Sequence, residues 1–173
     1  TSRTSETAIW TGSLAVVWGG SGCVDQTCSA TSALNTGGLY NPATDQWVMT
    51  STTGAPAGRY GHTAVWTGSE MDVWGGMENT PPLNLVQSGG RFNPGSNTWI
   101  GATSIDGNTP PPRQMHSAIW AGSQMVVWGG VDSTSYPLGD GGRYTPGGSW
   151  QSMASSPVQA RTNHSVVWTG SEM

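Results

Sequence analysis

Three histidines recur at one fixed place in this sequence and are the first candidates for chemistry. His62, His116 and His164 each lie three residues after an arginine, and Glu6 replaces the histidine in the first copy. Imidazole is the commonest metal ligand in proteins, so such a row suggests a metal site. Recurrence in successive units, however, spreads these side chains around an axis instead of gathering them at one point. We therefore predict no metal site and expect neutral histidines that bridge adjacent strands.

Arginines precede the histidines at the same offset and complete this polar pattern. They are Arg3, Arg59, Arg113 and Arg161. The last three end the proline-containing segments TGAPAGR, GNTPPPR and SSPVQAR, so we expect their guanidinium groups to bind carbonyl oxygens there. Arg91 and Arg143 stand where the first copy has Leu39, and we expect these two to form ion pairs between units.

Asp72 is a carboxylate at a position that is otherwise apolar. Its counterparts in the other copies are Val16 and Val126. A carboxylate buried among apolar groups is costly unless it is paired. We expect Asp72 to face a water-filled channel or to pair with an arginine, and a catalytic role is the less favoured alternative.

These residues belong to a unit of about fifty residues that occurs three times and then begins again. The stretch RYGHTAVWTGSEMDVWGG begins at Arg59, and similar stretches begin at Arg3, Arg113 and, in shorter form, Arg161. Each full copy continues with a second glycine pair and an aromatic residue, as GGLYNP, GGRFNP or GGRYTP. The recurring residues include Trp66 and Trp120, the pairs Gly19-Gly20, Gly75-Gly76 and Gly129-Gly130, and Trp47, Trp99 and Trp150.

Each unit contains four strand signals separated by turns. In the second copy they are HTAVWTG, EMDVWGG, GGRFNP and TWIGAT, which are short, rich in β-branched and aromatic residues and bounded by Gly, Pro, Asn or Ser. The short turns predict antiparallel neighbours. The unit is therefore a four-stranded meander, and the fold class is all-β.

A four-stranded unit of this length with a double glycine, an aromatic residue and a tryptophan resembles the Kelch repeat of β-propellers. The tryptophan before each glycine pair, as in VVWGG, is more similar to bacterial Kelch-type sequences than to animal ones. The resemblance implies that the strand ending at Trp66 is innermost in its blade and that the strand of Trp99 is outermost. We predict Kelch-like four-stranded antiparallel blades over residues 1–53, 54–107 and 108–158, with the first strand of a fourth blade in 159–173.

Propellers of this kind usually close with four to eight blades. A set of three blades would leave two apolar faces in water, because each blade buries its faces against its neighbours. We expect the remaining blades to come from the same polypeptide or from another copy of this chain.

The loops between the second and third strands differ most between units. They span residues 21–36, 77–88 and 131–140, and loops of unequal length on a rigid ring are the usual place for a binding surface. The candidate binding residues are Asp25, Glu78, Asp132, Tyr136 and Asp140. We predict a protein or glycan partner there, since no calcium-loop spacing is present. Solvated polar loops without a ligand are the alternative.

Cys23 and Cys28 are the chain's two cysteines and lie in the first of these loops. We predict a disulfide between them, and two free thiols are the alternative. Because disulfides persist outside the cytosol, we predict a secreted or cell-surface protein.

Charge and motifs exclude several classes of function. The chain has six arginines, no lysine and a formal net charge of −4, so we predict no nucleic-acid partner. It has no apolar run long enough to span a membrane, and no G-x-S-x-G, H-E-x-x-H or phosphate-loop motif. We therefore predict no catalytic residue and no cofactor in this chain. We expect it to act as an extracellular binding or structural scaffold. The alternative is part of a secreted propeller enzyme, a copper-radical oxidase or a carbohydrate-active enzyme, whose active site lies largely on other blades.

Overall fold

The computed structural model describes residues 2–23, 25, 27–28, 30–79 and 84–173. Within these residues the fold is all-β. The strands are β1 (Arg3–Thr4), β2 (Thr7–Trp10), β3 (Ala15–Trp18), β4 (Ser21–Cys23), β5 (Thr31–Ala33), β6 (Gly37–Asn41), β7 (Gln46–Met49), β8 (Thr63–Trp66), β9 (Met71–Trp74), β10 (Met77–Glu78), β11 (Asn84–Leu85), β12 (Gly89–Asn93), β13 (Thr98–Ala102), β14 (Ser117–Trp120), β15 (Met125–Trp128), β16 (Gly141–Tyr144) and β17 (Trp150–Ser152). In the described part of the chain, no helix is long and apolar enough to cross a membrane.

Three four-stranded antiparallel meanders make up most of the structure, and we call them blades 1, 2 and 3. Blade 1 has the strand order β2-β3-β6-β7, blade 2 has β8-β9-β12-β13, and blade 3 has β14-β15-β16-β17. Trp18, the last residue of β3, pairs with Thr7 on the first strand and with Gly37 on the third strand of blade 1. Trp74 of β9 and Trp128 of β15 pair with the equivalent residues of blades 2 and 3. The predicted all-β fold of Kelch-like antiparallel blades is confirmed.

Glycines are required where these strands meet. Gly75 has a φ of +71°, and a Cβ atom there would lie 2.7 Å from Cε1 of His116 in the next blade. Gly89 begins β12 so close to β9 that a Cβ atom would collide with the carbonyl oxygen of Val73. The equivalent glycines of the other blades show the same contacts. Both glycine pairs therefore permit close approach of backbone or of a neighbouring blade.

Apolar side chains fill the space between neighbouring blades. We call the contact of blades 1 and 2 interface 1/2, and that of blades 2 and 3 interface 2/3. In interface 1/2, Trp99 of β13 packs on Trp18 with ring centroids 5.1 Å apart and donates its indole N–H to a backbone carbonyl at 2.9 Å. In interface 2/3, Trp150 of β17 packs on Trp74, also at 5.1 Å, and donates at 3.0 Å. A tryptophan pair thus closes each interface.

Blade 1 shows what happens to these tryptophans on a face that no blade covers. Trp47 of β7 is 60% exposed, whereas its counterparts Trp99 and Trp150 are 9% and 1% exposed. On the first strands, Trp10 is exposed, Trp66 is partly buried, and Trp120 packs against the core of interface 2/3. The exposed tryptophans therefore mark an uncovered blade face.

Residues 159–173 follow blade 3 and lie against it. His164, Val166 and Met173 share a cavity with Trp128 and Pro157. The segment contains no strand, because a strand is defined by hydrogen bonds to a neighbour and no second strand runs beside it in the described chain. It therefore occupies the place of a first strand without the sheet pairing of one.

The first strands lie closest to the centre, and the long loops emerge at one end of the blades. Strand β8 contacts both β2 and β14. Strands β4 and β5 form a small sheet with β1, and β10 pairs with β11. Asn79 Nδ2 donates to the carbonyl of Thr31 at 3.3 Å, which joins the loops of blades 1 and 2. We call the surface formed by the loops between second and third strands the loop face.

Candidate binding face

A layer of buried arginines lies beneath the loop face. Arg59 Nη1 donates to the carbonyls of Gly75 at 3.2 Å and Ser88 at 2.7 Å, and Nε donates to Ala57 O at 3.1 Å in the proline-containing connection. Arg3 in blade 1 and Arg113 in blade 3 make the equivalent bonds. Each donates to the carbonyl of the first glycine after the second strand and to the carbonyl of the residue just before the third strand. Each guanidinium group therefore holds the second and third strands of its blade together where they meet the loop.

Two predicted loop carboxylates belong to this buried layer. Glu78 Oε1 accepts from Arg59 Nη2 at 3.1 Å, and Asp140 Oδ1 accepts from Arg113 Nη1 at 2.9 Å. Burial lowers the pKa of Arg59, and the Glu78 charge opposes that change. The Asp140 side chain is 59% exposed although Arg113 is fully buried. Glu78 and Asp140 thus balance buried charge, and Asp140 also presents a carboxylate to solvent.

The recurring histidines join each blade to the one before it. His62 Nε2 lies 2.9 Å from Thr7 Oγ1, and its ring packs edge-on against Trp18 with centroids 5.2 Å apart. His116 and His164 make both contacts one and two blades further on. Burial, assisted by the neighbouring arginine charge, lowers the pKa of His62 and His116 to about 3. These two imidazoles are therefore neutral at pH 7 and act as clamps between blades.

Asp132 organises the shortest of the three loops. Its Oδ1 accepts hydrogen bonds from Thr134 N at 2.8 Å, Thr134 Oγ1 at 2.7 Å and Tyr136 N at 2.9 Å. These bonds lower the pKa of Asp132, so it is ionised at neutral pH. The Tyr136 side chain is 70% exposed on this turn. A large aromatic ring held by a hydrogen-bonded turn is well suited to contact with a partner.

The longest loop contains the predicted disulfide. Cys23, at the end of β4, is bonded to Cys28. Asp25 lies within the loop that they close, and its Oδ1 accepts from Thr27 Oγ1 at 2.8 Å. The crosslink begins at the last residue of β4 and closes a short ring in the segment that leads to β5, which reduces the conformational freedom of this loop.

The five candidate binding residues do not converge on one point. Asp25 lies in the loop of blade 1, Glu78 in that of blade 2, and Asp132, Tyr136 and Asp140 in that of blade 3. Among the described residues, no group of three or more His, Cys, Asp or Glu side chains is placed to hold a metal ion. The arrangement offers an extended acidic surface with an exposed aromatic side chain.

A chain of backbone hydrogen bonds, which no repeat pattern predicted, crosses the blades beside the histidine clamps. Gly61 N donates to Ser5 O at 3.2 Å, Met115 N to Gly61 O at 3.3 Å, and Asn163 N to Met115 O at 3.1 Å. These four residues have φ between 52° and 64°. The glycine directly before His62 was the available signal, because that backbone conformation is easy only for glycine.

Interface 2/3 also holds charged residues whose surroundings the sequence did not reveal. Arg91 Nε and Nη2 each donate to a carboxylate oxygen of Glu70 at 3.0 Å. Both residues lie in blade 2, so the expected ion pair between units is wrong for Arg91. Arg143 is exposed on β16. Asp72 is fully buried, and neither of its oxygens has a hydrogen-bond partner in the described structure. Among the described residues, Asp72 therefore neither faces open water nor pairs with an arginine.

Comparison with known proteins agrees with this architecture. A family model described as the KLHDC2/KLHL20/DRC7 Kelch-repeats domain matches residues 5–173. The F-box/kelch-repeat protein At1g51550 of Arabidopsis thaliana is 35% identical over 91 residues, which is 50% of this chain and 19% of the relative. Adagio protein 3 of the same plant is 33% identical over 144 residues, which is 80% of this chain and 22% of the relative. The chain thus spans about a fifth of the length of these two relatives.

A third relative is the tRNA wybutosine-synthesizing protein 2/3/4 of Arabidopsis thaliana, 30% identical over 93 residues, which is 54% of this chain and 9% of that protein. All three relatives are plant proteins, so they do not support the expected likeness to bacterial sequences. The family match extends over all three blades and the segment that follows them. With its repeated glycine pairs, tryptophans and four-stranded blades, the chain belongs to the Kelch-repeat family.

Proposed function

We propose that this chain is a protein-binding scaffold whose loop face contacts the partner. Kelch repeats generally mediate contacts between proteins. The repeated arginines and histidines are occupied by bonds within and between blades, which leaves the unequal loops as the variable part of the surface. The observation that carries the proposal is Tyr136, whose side chain is 70% exposed on a turn organised by three hydrogen bonds to Asp132.

The charge of the loop face favours a basic partner. Asp25, Asp132 and Asp140 all reach solvent on this face, and the chain has a net charge of −4. A complementary surface that contains Arg and Lys would be steered towards it and away from like-charged proteins. A glycan is the second occupant that the same aromatic and carboxylate groups suit, and it is distinguished by experiment.

The test compares Tyr136→Ala with Ile100→Ala, which removes a similarly exposed apolar side chain from β13, away from the loops. Each variant is used as bait for crosslinking in an extract of the source cells, and captured proteins are quantified by mass spectrometry. We expect one protein to be captured by the wild type and by Ile100→Ala and to fall at least tenfold with Tyr136→Ala. Equal capture by both variants, or binding to an arrayed glycan with no protein captured, would contradict the proposal.

We further propose that the protein works in an oxidising compartment, at the cell surface or after secretion. The support is the Cys23–Cys28 disulfide, since such bonds are rare in reducing compartments. Thiol labelling of the protein taken directly from its source tests this. Protection of both cysteines until reductant is added is the expected result, and two freely labelled thiols would exclude it.

The uncovered face of blade 1 is proposed to pack against a further Kelch-like blade, supplied by the same polypeptide or by another copy. Its support is Trp47, because both counterparts of this residue are buried against a preceding blade. Native and denaturing mass measurements, together with fluorescence quenching by acrylamide, test the proposal. A stable native monomer of this chain with Trp47 fully open to quencher would contradict it.

A further inference from the structure

Interface 2/3 contains a buried carboxylate for which the described part of the chain supplies no hydrogen-bond partner. Asp72 lies in the middle of β9, two residues before Trp74, and shares with that residue the side of the sheet that faces blade 3. Both carboxylate oxygens are buried and have no hydrogen-bond partner in the described structure. The equivalent residue of blade 1, Val16, is a fully buried member of the apolar core of interface 1/2.

The charged and titratable groups around Asp72 do not compensate its charge. Arg91 lies directly across from Asp72 on β12, but both of its hydrogen bonds go to Glu70. The charge of Glu70 disfavours ionisation of Asp72. From blade 3, Tyr144 approaches, and its hydroxyl accepts a hydrogen bond from Gly147 N at 3.2 Å. The nearby guanidinium group is therefore already paired with Glu70, and in the described structure it forms no hydrogen bond with Asp72.

We propose that a proton on Asp72 controls the contact between blades 2 and 3. A neutral carboxyl group can remain in the apolar interface without a counterion, whereas an ionised one must be solvated or paired. Ionisation therefore favours separation of the two blades, because opening lets water reach the carboxylate. Val16 makes interface 1/2 insensitive to this change.

The direction of the pH effect follows from the shifted group. Burial, with a further contribution from Glu70, raises the pKa of Asp72 from 3.8 to about 7, and Arg91 opposes the shift. The stabilisation of the closed interface by the protonated Asp72 is therefore fully present below the pKa of Asp72 in the unfolded state. It is lost as pH rises towards the folded-state pKa of about 7. For this group alone, the opening equilibrium increases roughly tenfold per pH unit between pH 4 and 7 and then becomes constant.

His116 titrates in the opposite sense at the same interface and has to be separated from Asp72. Its pKa is lowered to about 3, so acid protonates the open state first and weakens the clamp to Thr63. A pH series on the wild type alone would mix these two effects. The ratio of wild type to an Asp72 variant cancels the contribution of His116 at each pH.

The experiment measures amide hydrogen exchange of the whole chain, corrected for intrinsic rates, from pH 5 to pH 8. Peptides that cover residues 71–74, 125–128 and 141–144 report on interface 2/3, and residues 37–41 of blade 1 serve as an internal control. The variants are Asp72→Asn, which keeps the shape and cannot ionise, and Asp72→Val, which copies blade 1.

We expect the ratio of opening in the wild type to that in Asp72→Asn to rise by on the order of 100-fold between pH 5 and pH 8 at interface 2/3. The same ratio should stay constant for residues 37–41. If Asp72→Asn does not fold, Asp72→Val provides the same comparison. A ratio that is independent of pH at interface 2/3, or one that changes equally in blade 1, overturns the proposal.

Discussion

Interfaces 1/2 and 2/3 share the same packing of tryptophan and histidine side chains but differ in the charge of the residues around it. In both, a tryptophan of the following blade lies 5.1 Å from a tryptophan of the preceding blade, and a histidine packs on that ring at 5.2 Å. The matching positions of the preceding blade hold Leu14, Val16 and Leu39 in interface 1/2, and Glu70, Asp72 and Arg91 in interface 2/3. The repeated residues therefore determine how blades pack, and the unrepeated residues determine how an interface responds to its surroundings.

The largest effect should come from the part that the interfaces share. Trp99→Ala and Trp150→Ala each remove a buried indole and leave a cavity, so each should lower the free energy of unfolding by about 3 to 5 kcal/mol. Urea denaturation would measure this, with Ile100→Ala as the control, since Ile100 is 50% exposed on β13. A large loss of unfolding free energy for one tryptophan and none for the other would show that the two interfaces do not pack in the same way.

The ion pair of interface 2/3 should give the next largest effect. Arg91→Leu copies blade 1 at that position but leaves Glu70, whose side chain is 8% exposed, without its partner. We expect a loss of about 2 to 3 kcal/mol, recovered in the double variant Glu70→Leu, Arg91→Leu, because an apolar pair removes both charges. A double-mutant cycle in urea measures it. Additive losses in the double variant would mean that the pair is not the source of the effect.

The histidine clamps should make both interfaces sensitive to acid to the same extent. The pKa values of His62 and His116 are lowered to about 3, so the unfolded state binds protons first and stability falls as pH drops below about 6.5. For each histidine, the free energy of unfolding should fall by about 2 kcal/mol between pH 7 and pH 5. His62→Gln and His116→Gln, compared with the wild type at each pH, should each remove one such loss. Unequal changes would place the clamps in different environments.

The smallest effect should come from the backbone hydrogen bonds that cross the interfaces. Gly61 makes this bond at interface 1/2, and Met115 makes it at interface 2/3 with a φ of 56°. Met115→Gly relieves strain but adds flexibility to the unfolded chain, so we expect a net gain of about 0.5 kcal/mol. Gly61→Ala should lose a similar amount or more. Thermal denaturation checks both, and a loss of stability in Met115→Gly would argue against strain at this position.

The fold was predictable because its signals repeat. Short strands, turn residues and glycine pairs recurred in one order, and each glycine pair lies where a Cβ atom would collide with a strand or with the next blade, as at Gly75 and Gly89. The exposed loops were also visible as the parts of unequal length. The partners of single side chains were not, because the bond between Arg91 and Glu70 depends on strand register and rotamers that no spacing along the chain specifies.

Asp72 shows the same limit. Its position in the repeat shows that it is unusual, but its lack of a hydrogen-bond partner among the described residues depends on the pairing of Arg91 with Glu70. Glu78 and Asp140 were seen as loop acids, yet they extend back to buried arginines. Sequence comparison thus identified unusual positions, and three-dimensional packing determined their roles.

The difference in free energy of unfolding between Asp72→Val and the wild type, followed from pH 5 to pH 8, tests most directly whether the two interfaces differ in this way. Because the pKa of Asp72 is raised to about 7, the advantage of Asp72→Val should grow by about 2 to 3 kcal/mol over this range and level off above pH 7. The control Val16→Ala should differ from the wild type by the same amount at every pH. An advantage of Asp72→Val that does not change with pH would contradict the account.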